Sequence, residues 1–111
     1  MSNILITSAG RRVELVNSFK TECAKLNKKL KVFCTDVNPE LSSACKVADL
    51  YFHAPKVTSK EYIGFLKKIC ADNSIVVIIP TIDTELMILV LQIYQSKYQP
   101  YIHRNYLEQA P

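Results

Sequence analysis

Glycine is nearly missing from this sequence: 111 residues carry two, Gly10 and Gly64. The G-x-G-x-x-G turn by which dinucleotide-binding folds bring their backbone up to a pyrophosphate is therefore absent. Metal-site patterns are absent as well. Cys23, Cys34, Cys45 and Cys70 form neither the close pairs of a zinc site nor a Cys-x-x-Cys redox motif, and His53 has no second histidine or cysteine at ligand spacing. Most of the cysteines fall at apolar positions and read as small buried hydrophobes. No apolar run reaches the roughly 20 residues that span a bilayer. Met1-Ser2-Asn3 does not open the basic region and apolar core of a secretory leader. The expectation is a cytoplasmic protein with reduced thiols, bound to no membrane. No internal repeat or low-complexity segment is visible.

The composition describes a folded domain. Hydrophobic residues make up 49% and charged residues 22%, which suits a globular protein. A chain of this length makes one domain with a real core, short for a complete enzyme of most α/β classes. The net charge of +4 is modest, and the lysines are spread over expected helix surfaces, so no nucleic-acid partner is expected.

The organising stretch is 3–14. Ile4, Leu5 and Ile6 form an unbroken apolar run, as in a strand covered on both faces of a parallel sheet. Thr7, Ser8, Ala9 and Gly10 allow a tight turn, and Val13, Val16, Phe19, Cys23 and Leu26 then step by three or four along a helix. A strand feeding a helix in this way leaves backbone N–H groups at the helix start that favour an anion, and Arg11 and Arg12 add charge. This reads as the rim of a site for a small anionic ligand, with a plain turn carrying two solvated arginines as the alternative.

A second strand is expected over 30–35, ending at Asp36. Asp36 stands where dinucleotide-binding folds hold a ribose, or it bonds the backbone of its own Val37-Asn38-Pro39 turn. A short helical turn over 41–47 and a third strand over 49–53 follow. Thr58 and Glu61 have capping-box spacing, which starts a helix there with Ile63, Leu66 and Cys70 inward. Ile75-Val76-Val77-Ile78-Ile79 is the clearest strand in the chain and reads as central, next to the first. Thr81, Asp83 and Glu85 follow it. The loops after the first and fourth strands would meet in one crevice at the carboxyl edge of the sheet, where open α/β sheets bind ligands. Thr81 or Asp83 can equally cap the next helix. Arg11 and Glu85 are expected to face each other there, either selecting a small carboxylated or amino-acid-like substrate or forming a surface salt bridge.

The helix over 85–96 has six apolar residues in a row from Leu86 to Leu91. A helix apolar all round needs cover on more than one side, so further chain or a homodimer through residues 86–93 is expected. Tyr101-Ile102-His103 reads as a short fifth strand at the edge. Residues 1–104 are then one Rossmann-like, three-layer α/β domain with four to five parallel strands, and 105–111 begin a linker.

Three fragments carry a family likeness: Ile-Thr-Ser-Ala-Gly-Arg-Arg at 6–12, Thr35-Asp36 with Pro39 behind, and Pro-Thr-Ile-Asp-Thr-Glu at 80–85. Together they resemble the N-terminal domain of ATP-grasp ligases, most closely proteins similar to the carbamoyl-phosphate synthase large subunit. The resemblance covers Asn3 to about Leu86. It implies a Rossmann-like pre-ATP-grasp domain on the substrate side of the cleft, with Ser8, Gly10, Arg11, Asp36, Thr81, Asp83 and Glu85 as substrate-binding residues. It also implies that ATP and Mg2+ are held by a C-terminal ATP-grasp domain beyond Pro111. This chain alone would bind neither, carry no catalytic residue or metal ligand, and be inactive, as a fragment or split subunit of a carboxylate–amine or carboxylate–ammonia ligase. The alternative is a nucleotide- or dinucleotide-binding Rossmann domain of an oxidoreductase or epimerase. A receiver-type signalling module would need an acid pair where Thr7 and Ser8 stand.

Overall fold

The structure, a computed structural model, describes residues 2–26 and 29–98, with side chains as far as residue 91. Its sheet contains four strands among the described residues: β1 (Asn3–Thr7), β2 (Val32–Asp36), β3 (Leu50–His53) and β4 (Ile75–Pro80). All pairings are parallel and the order is β3-β2-β1-β4. Parallel neighbours need crossovers. These are supplied by α1 (Val13–Leu26), by a 3-10 turn (Pro39–Leu41) with α2 (Ser43–Val47), and by α3 (Tyr62–Asp72). The sheet flanked by helices is the expected Rossmann-like α/β architecture.

Strand periodicity divides the core. Ile6, Val32 and Cys34 share one cluster with Ala9, Val16, Cys23, Ala44 and Cys45, so α1 and α2 cover this face. Leu5 and Phe33 are partners in register, alternate with that set and are also buried, as are Tyr62 and Leu66 of α3. At the amino edge, side chains take over backbone duties. Asn3 donates to the Asn73 carbonyl at 2.6 Å and accepts from the Lys31 N–H at 3.1 Å. Asp49 accepts from the Val32 N–H at 2.8 Å and pairs with Lys20 at 3.7 Å.

Three expectations need correction. β4 pairs with β1 as foreseen, but among the described residues it is the last strand of the sheet rather than a central one. Val76 is 62% exposed and Val77 46%. A continuous apolar run signals that shielding is needed without saying whether a strand lies on both sides, which is why the sequence could not place this edge. The helix expected at Thr58 begins at Tyr62, with no side-chain cap from Glu61. A turn intervenes instead, in which the Ser59 hydroxyl accepts from the Glu61 N–H at 3.1 Å. Of the inner face expected at Ile63, Leu66 and Cys70 with Tyr62, Phe65 and Ile69 beside it, Tyr62 and Leu66 are buried, whereas Ile63 and Cys70 are only half-buried. The expected fifth strand at 101–103 and the linker at 105–111 lie outside the described residues.

The chain divides into two units, Met1–Thr81 and Ile82–Pro111. The second holds α4 (Asp83–Tyr98), whose first turn is closed by the Leu86 N–H on the Ile82 carbonyl at 3.1 Å. Its apolar side chains Leu86, Met87, Val90 and Leu91 are exposed.

Candidate functional site at the carboxyl edge of the sheet

The order of strands reverses at β1, which has β2 on one side and β4 on the other. Loops leaving β1 and β4 therefore begin side by side, and Thr7 is in register with Pro80. The loop after β1 turns sharply. Ser8 has φ +51° and Gly10 φ +52°, both left-handed. Glycine tolerates this freely, whereas serine gives up about 1–2 kcal/mol. At Gly10 it is the dihedral, not crowding, that calls for glycine, since the nearest atom to an added Cβ would be the Ser8 carbonyl oxygen at 3.9 Å.

Such a loop persists only where its surroundings hold it. On the β2 side, the Ala9 N–H donates to the Thr35 carbonyl at 3.1 Å and the Gly10 N–H to the Asp36 carboxylate at 2.9 Å. The other oxygen of Asp36 accepts from the Asn38 N–H at 3.0 Å. The Gly10 carbonyl accepts from the Ser42 hydroxyl at 2.7 Å and from the Ala44 N–H at 3.1 Å. On the β4 side, the Thr81 hydroxyl lies 2.9 Å from the Thr7 carbonyl and 2.6 Å from that of Ser8, sharing its single proton between them. Arg12 donates to the Thr81 carbonyl at 3.4 Å. Thr81 is thus a staple joining the ends of β1 and β4.

Four amides of the expected cradle are closed. The N–H groups of Ala9, Gly10, Arg12 and Val13 all have partners within the chain. Gly10 enters the site as a turn, with both backbone groups taken. Asp36 carries out the turn-bonding role and also supplies the loop's internal anion. What the loop presents outward is Arg11, which is exposed and has no partner among the described residues. Ser8, Gly10, Arg11, Asp36 and Thr81 are brought together in the first unit. Asp83 and Glu85 lie in the first turn of α4 in the second unit, Asp83 exposed and Glu85 fully buried.

One residue of this edge, Ser42, was not singled out in the sequence, and Thr35 entered only through the family likeness. Ser42 caps α2 by accepting from the Cys45 N–H at 3.1 Å, and a serine just before a short helical segment was a legible cap signal. Its bond to Gly10 spans 32 positions and had no sequence signal. Thr35 is fully buried, and its hydroxyl oxygen has no hydrogen-bond partner among the described residues. A buried orphan of this kind costs about 1–3 kcal/mol.

Among the described residues, no three or more His, Cys, Asp or Glu side chains gather where they can hold a metal ion. No helix there is long and apolar enough to cross a membrane.

A Rossmann-like α/β domain whose first and fourth strands end in cross-bonded polar loops is the class these features define. The PylC-like, N-terminal domain family matches residues 4–99, and the chain belongs to it. That family is part of the pre-ATP-grasp group of ATP-grasp ligase N-terminal domains. No curated protein sequence matched the chain.

Proposed function

We propose that this chain is the substrate-side domain of a cytoplasmic, ATP-dependent carboxylate–amine or carboxylate–ammonia ligase resembling the carbamoyl-phosphate synthase large subunit. In this reading Arg11 takes a carboxylate of the substrate, and Ser8, Gly10, Asp36 and Thr81 form and brace the rim around it. One observation supports it above the dinucleotide alternative: the Gly10 N–H, which a Rossmann fold would turn to a pyrophosphate, is closed by the chain's own Asp36 at 2.9 Å. The acid at the tip of β2 is likewise spent on backbone rather than offered to a ribose. In this reading the chain serves the acceptor side, and ATP and Mg2+ are assigned to a C-terminal ATP-grasp domain.

The test is ADP release by the full-length protein with a panel of small carboxylates and amines, alongside thermal shifts with dinucleotides. ADP release that needs both a carboxylate and an amine is expected. Stabilisation by NAD or NADP without such turnover would replace this reading with the oxidoreductase one.

A second proposal concerns assembly. Met87 is 61% exposed, with Leu86 and Val90 both at 49%, and covering such side chains is worth about 1.5–3 kcal/mol each. The isolated chain is expected to dimerise through residues 86–93. Sedimentation at rising concentration checks this, and a Met87→Glu, Val90→Glu double variant should remain monomeric where the parent does not.

A further inference from the structure

Arg11 can select a ligand only if its backbone is held: its own carbonyl accepts from the Val13 N–H at 2.8 Å, and the peptide that enters it is held from outside the loop. The carbonyl of Gly10 belongs to the peptide that joins Gly10 to Arg11. Two donors from the β2–α2 connection grip that carbonyl, the Ser42 hydroxyl at 2.7 Å and the Ala44 N–H at 3.1 Å. The same hydroxyl oxygen accepts from the Cys45 N–H at 3.1 Å, and the Ser42 N–H and carbonyl are bonded to Pro39 and Lys46. Ser42 is buried, with 3% of its surface exposed. A buried hydroxyl fixed on every side has one rotamer, so it sets the plane of the peptide it bonds.

We propose that Ser42 is a positioning residue for Arg11: it fixes the plane of the peptide that enters Arg11 and so aims the guanidinium at a ligand carboxylate. This rests on the reading of Arg11 as the substrate-side cation. The structure adds a reason why so much bonding converges on one glycine. Ser8 and Gly10 both sit in left-handed conformations, and a loop that leaves them changes the direction of the chain at Arg11. Asp36 holds the N–H of Gly10 and Ser42 its carbonyl. With both groups fixed, the position of Arg11 is set before any ligand arrives, which removes an ordering cost from binding.

The experiment uses the full chain with Ser42→Ala, Ser42→Thr and Ser42→Cys. Two quantities are read: amide exchange at Gly10 with the β1 amides as reference, and the acetate concentration that half-protects Arg11 from phenylglyoxal, scored by peptide mapping with Arg12 as internal reference. In Ser42→Ala, Gly10 exchange should rise at least tenfold while the β1 amides stay within twofold. The acetate midpoint should rise at least fivefold. Ser42→Thr should restore both, and Ser42→Cys, nearly isosteric with a weaker donor, should fall between and covers the case in which Ser42→Ala does not fold. Unchanged Gly10 exchange and midpoint would overturn the proposal, as would loosening of Gly10 and the β1 amides together, which marks a merely structural role. If acetate fails to protect Arg11 in the parent protein, the substrate-side reading of Arg11 falls and the proposal with it. Protection that is present but indifferent to Ser42 removes the proposal alone.

Discussion

Between pH 9 and pH 12 the protein should lose about 4 kcal/mol of stability through one thiol. Cys34 on β2 is fully buried, and burial, followed by the neighbouring Cys45 thiol and the carboxylates of Asp36 and Asp49, pushes its pKa from 9.0 up to about 12, Lys20 opposing. The sign follows from the two states. In the unfolded chain the thiol ionises at about 9, while in the folded protein it keeps its proton to about 12. The contribution is complete below pH 9, and above it the unfolded state binds fewer protons, so stability falls by about 1.4 kcal/mol for each pH step until the folded thiol also ionises. Cys23, Cys45 and Cys70 are raised in the same direction, with burial the largest cause in each. Urea unfolding at a series of pH values measures the slope. Lysines and tyrosines titrate over the same range, so the parent is compared with Cys34→Ala, in which most of this slope should disappear even though the variant starts less stable. Equal slopes in the two proteins would mean that water reaches the Cys34 thiol. A thiol held protonated in this way is a poor nucleophile at neutral pH, which agrees with reading the cysteines as packing residues.

What could be read from the sequence was whatever local pattern determines. Ile4-Leu5-Ile6 read as a shielded strand, and the three- and four-residue steps from Val13 to Leu26 as one face of a helix, of which Val16 and Cys23 are buried and Leu26 is exposed. Both elements appear over these residues. The adjacency of β1 and β4 was expected because two such runs each need cover; the pairing is found, but the cover is found for β1 alone, since β4 ends the described sheet with Val76 and Val77 exposed. The limits are equally physical. Burial at an edge depends on what lies beside the strand, and the run from Ile75 to Ile79 cannot encode that. Thr58 and Glu61 satisfied a spacing rule for a helix start, but the Ser59 turn takes the Glu61 N–H first. Local competition between two hydroxyl-bearing residues is below the resolution of a spacing rule.

For the candidate site, the residues were legible and their partners were not. Asp36 stood out as an acid at a strand tip, with a ribose and a turn as rival partners. The structure gives it the turn, through Asn38, and adds Gly10, 26 positions away. Nothing in the sequence joins those positions. Thr81 was marked as a rim residue or a cap, and its hydroxyl instead bonds two carbonyls more than 70 positions back. In both cases a polar side chain at the carboxyl edge of the sheet satisfies backbone groups of the neighbouring loop, because a loop bent through two left-handed residues cannot satisfy them itself. The consequence for function is that the amides of Ala9, Gly10, Arg12 and Val13 are taken, while the Arg11 side chain stands exposed.

On the substrate-side reading, replacing Arg11 should therefore lower kcat/KM of the full-length ligase by roughly 10- to 150-fold, which corresponds to about 1.5–3 kcal/mol for a hydrogen bond to a charged group. The loss should appear without unfolding, since Arg11 is exposed and has no partner among the described residues. Arg11→Lys should recover little of it, because an ammonium is a point charge and cannot reproduce the two parallel N–H donors that a planar guanidinium gives a carboxylate. Arg12→Ala is the matched comparison: it removes the same charge one position along, but a side chain whose bond to the Thr81 carbonyl is long, at 3.4 Å. Its effect should stay within a few-fold. Steady-state kinetics on the three variants, with melting temperatures to confirm folding, decides the matter. If Arg12→Ala carries the loss and Arg11→Ala keeps parental kinetics, the ligand approaches over β4 rather than over the Gly10 turn, and the rim must be redrawn around Thr81.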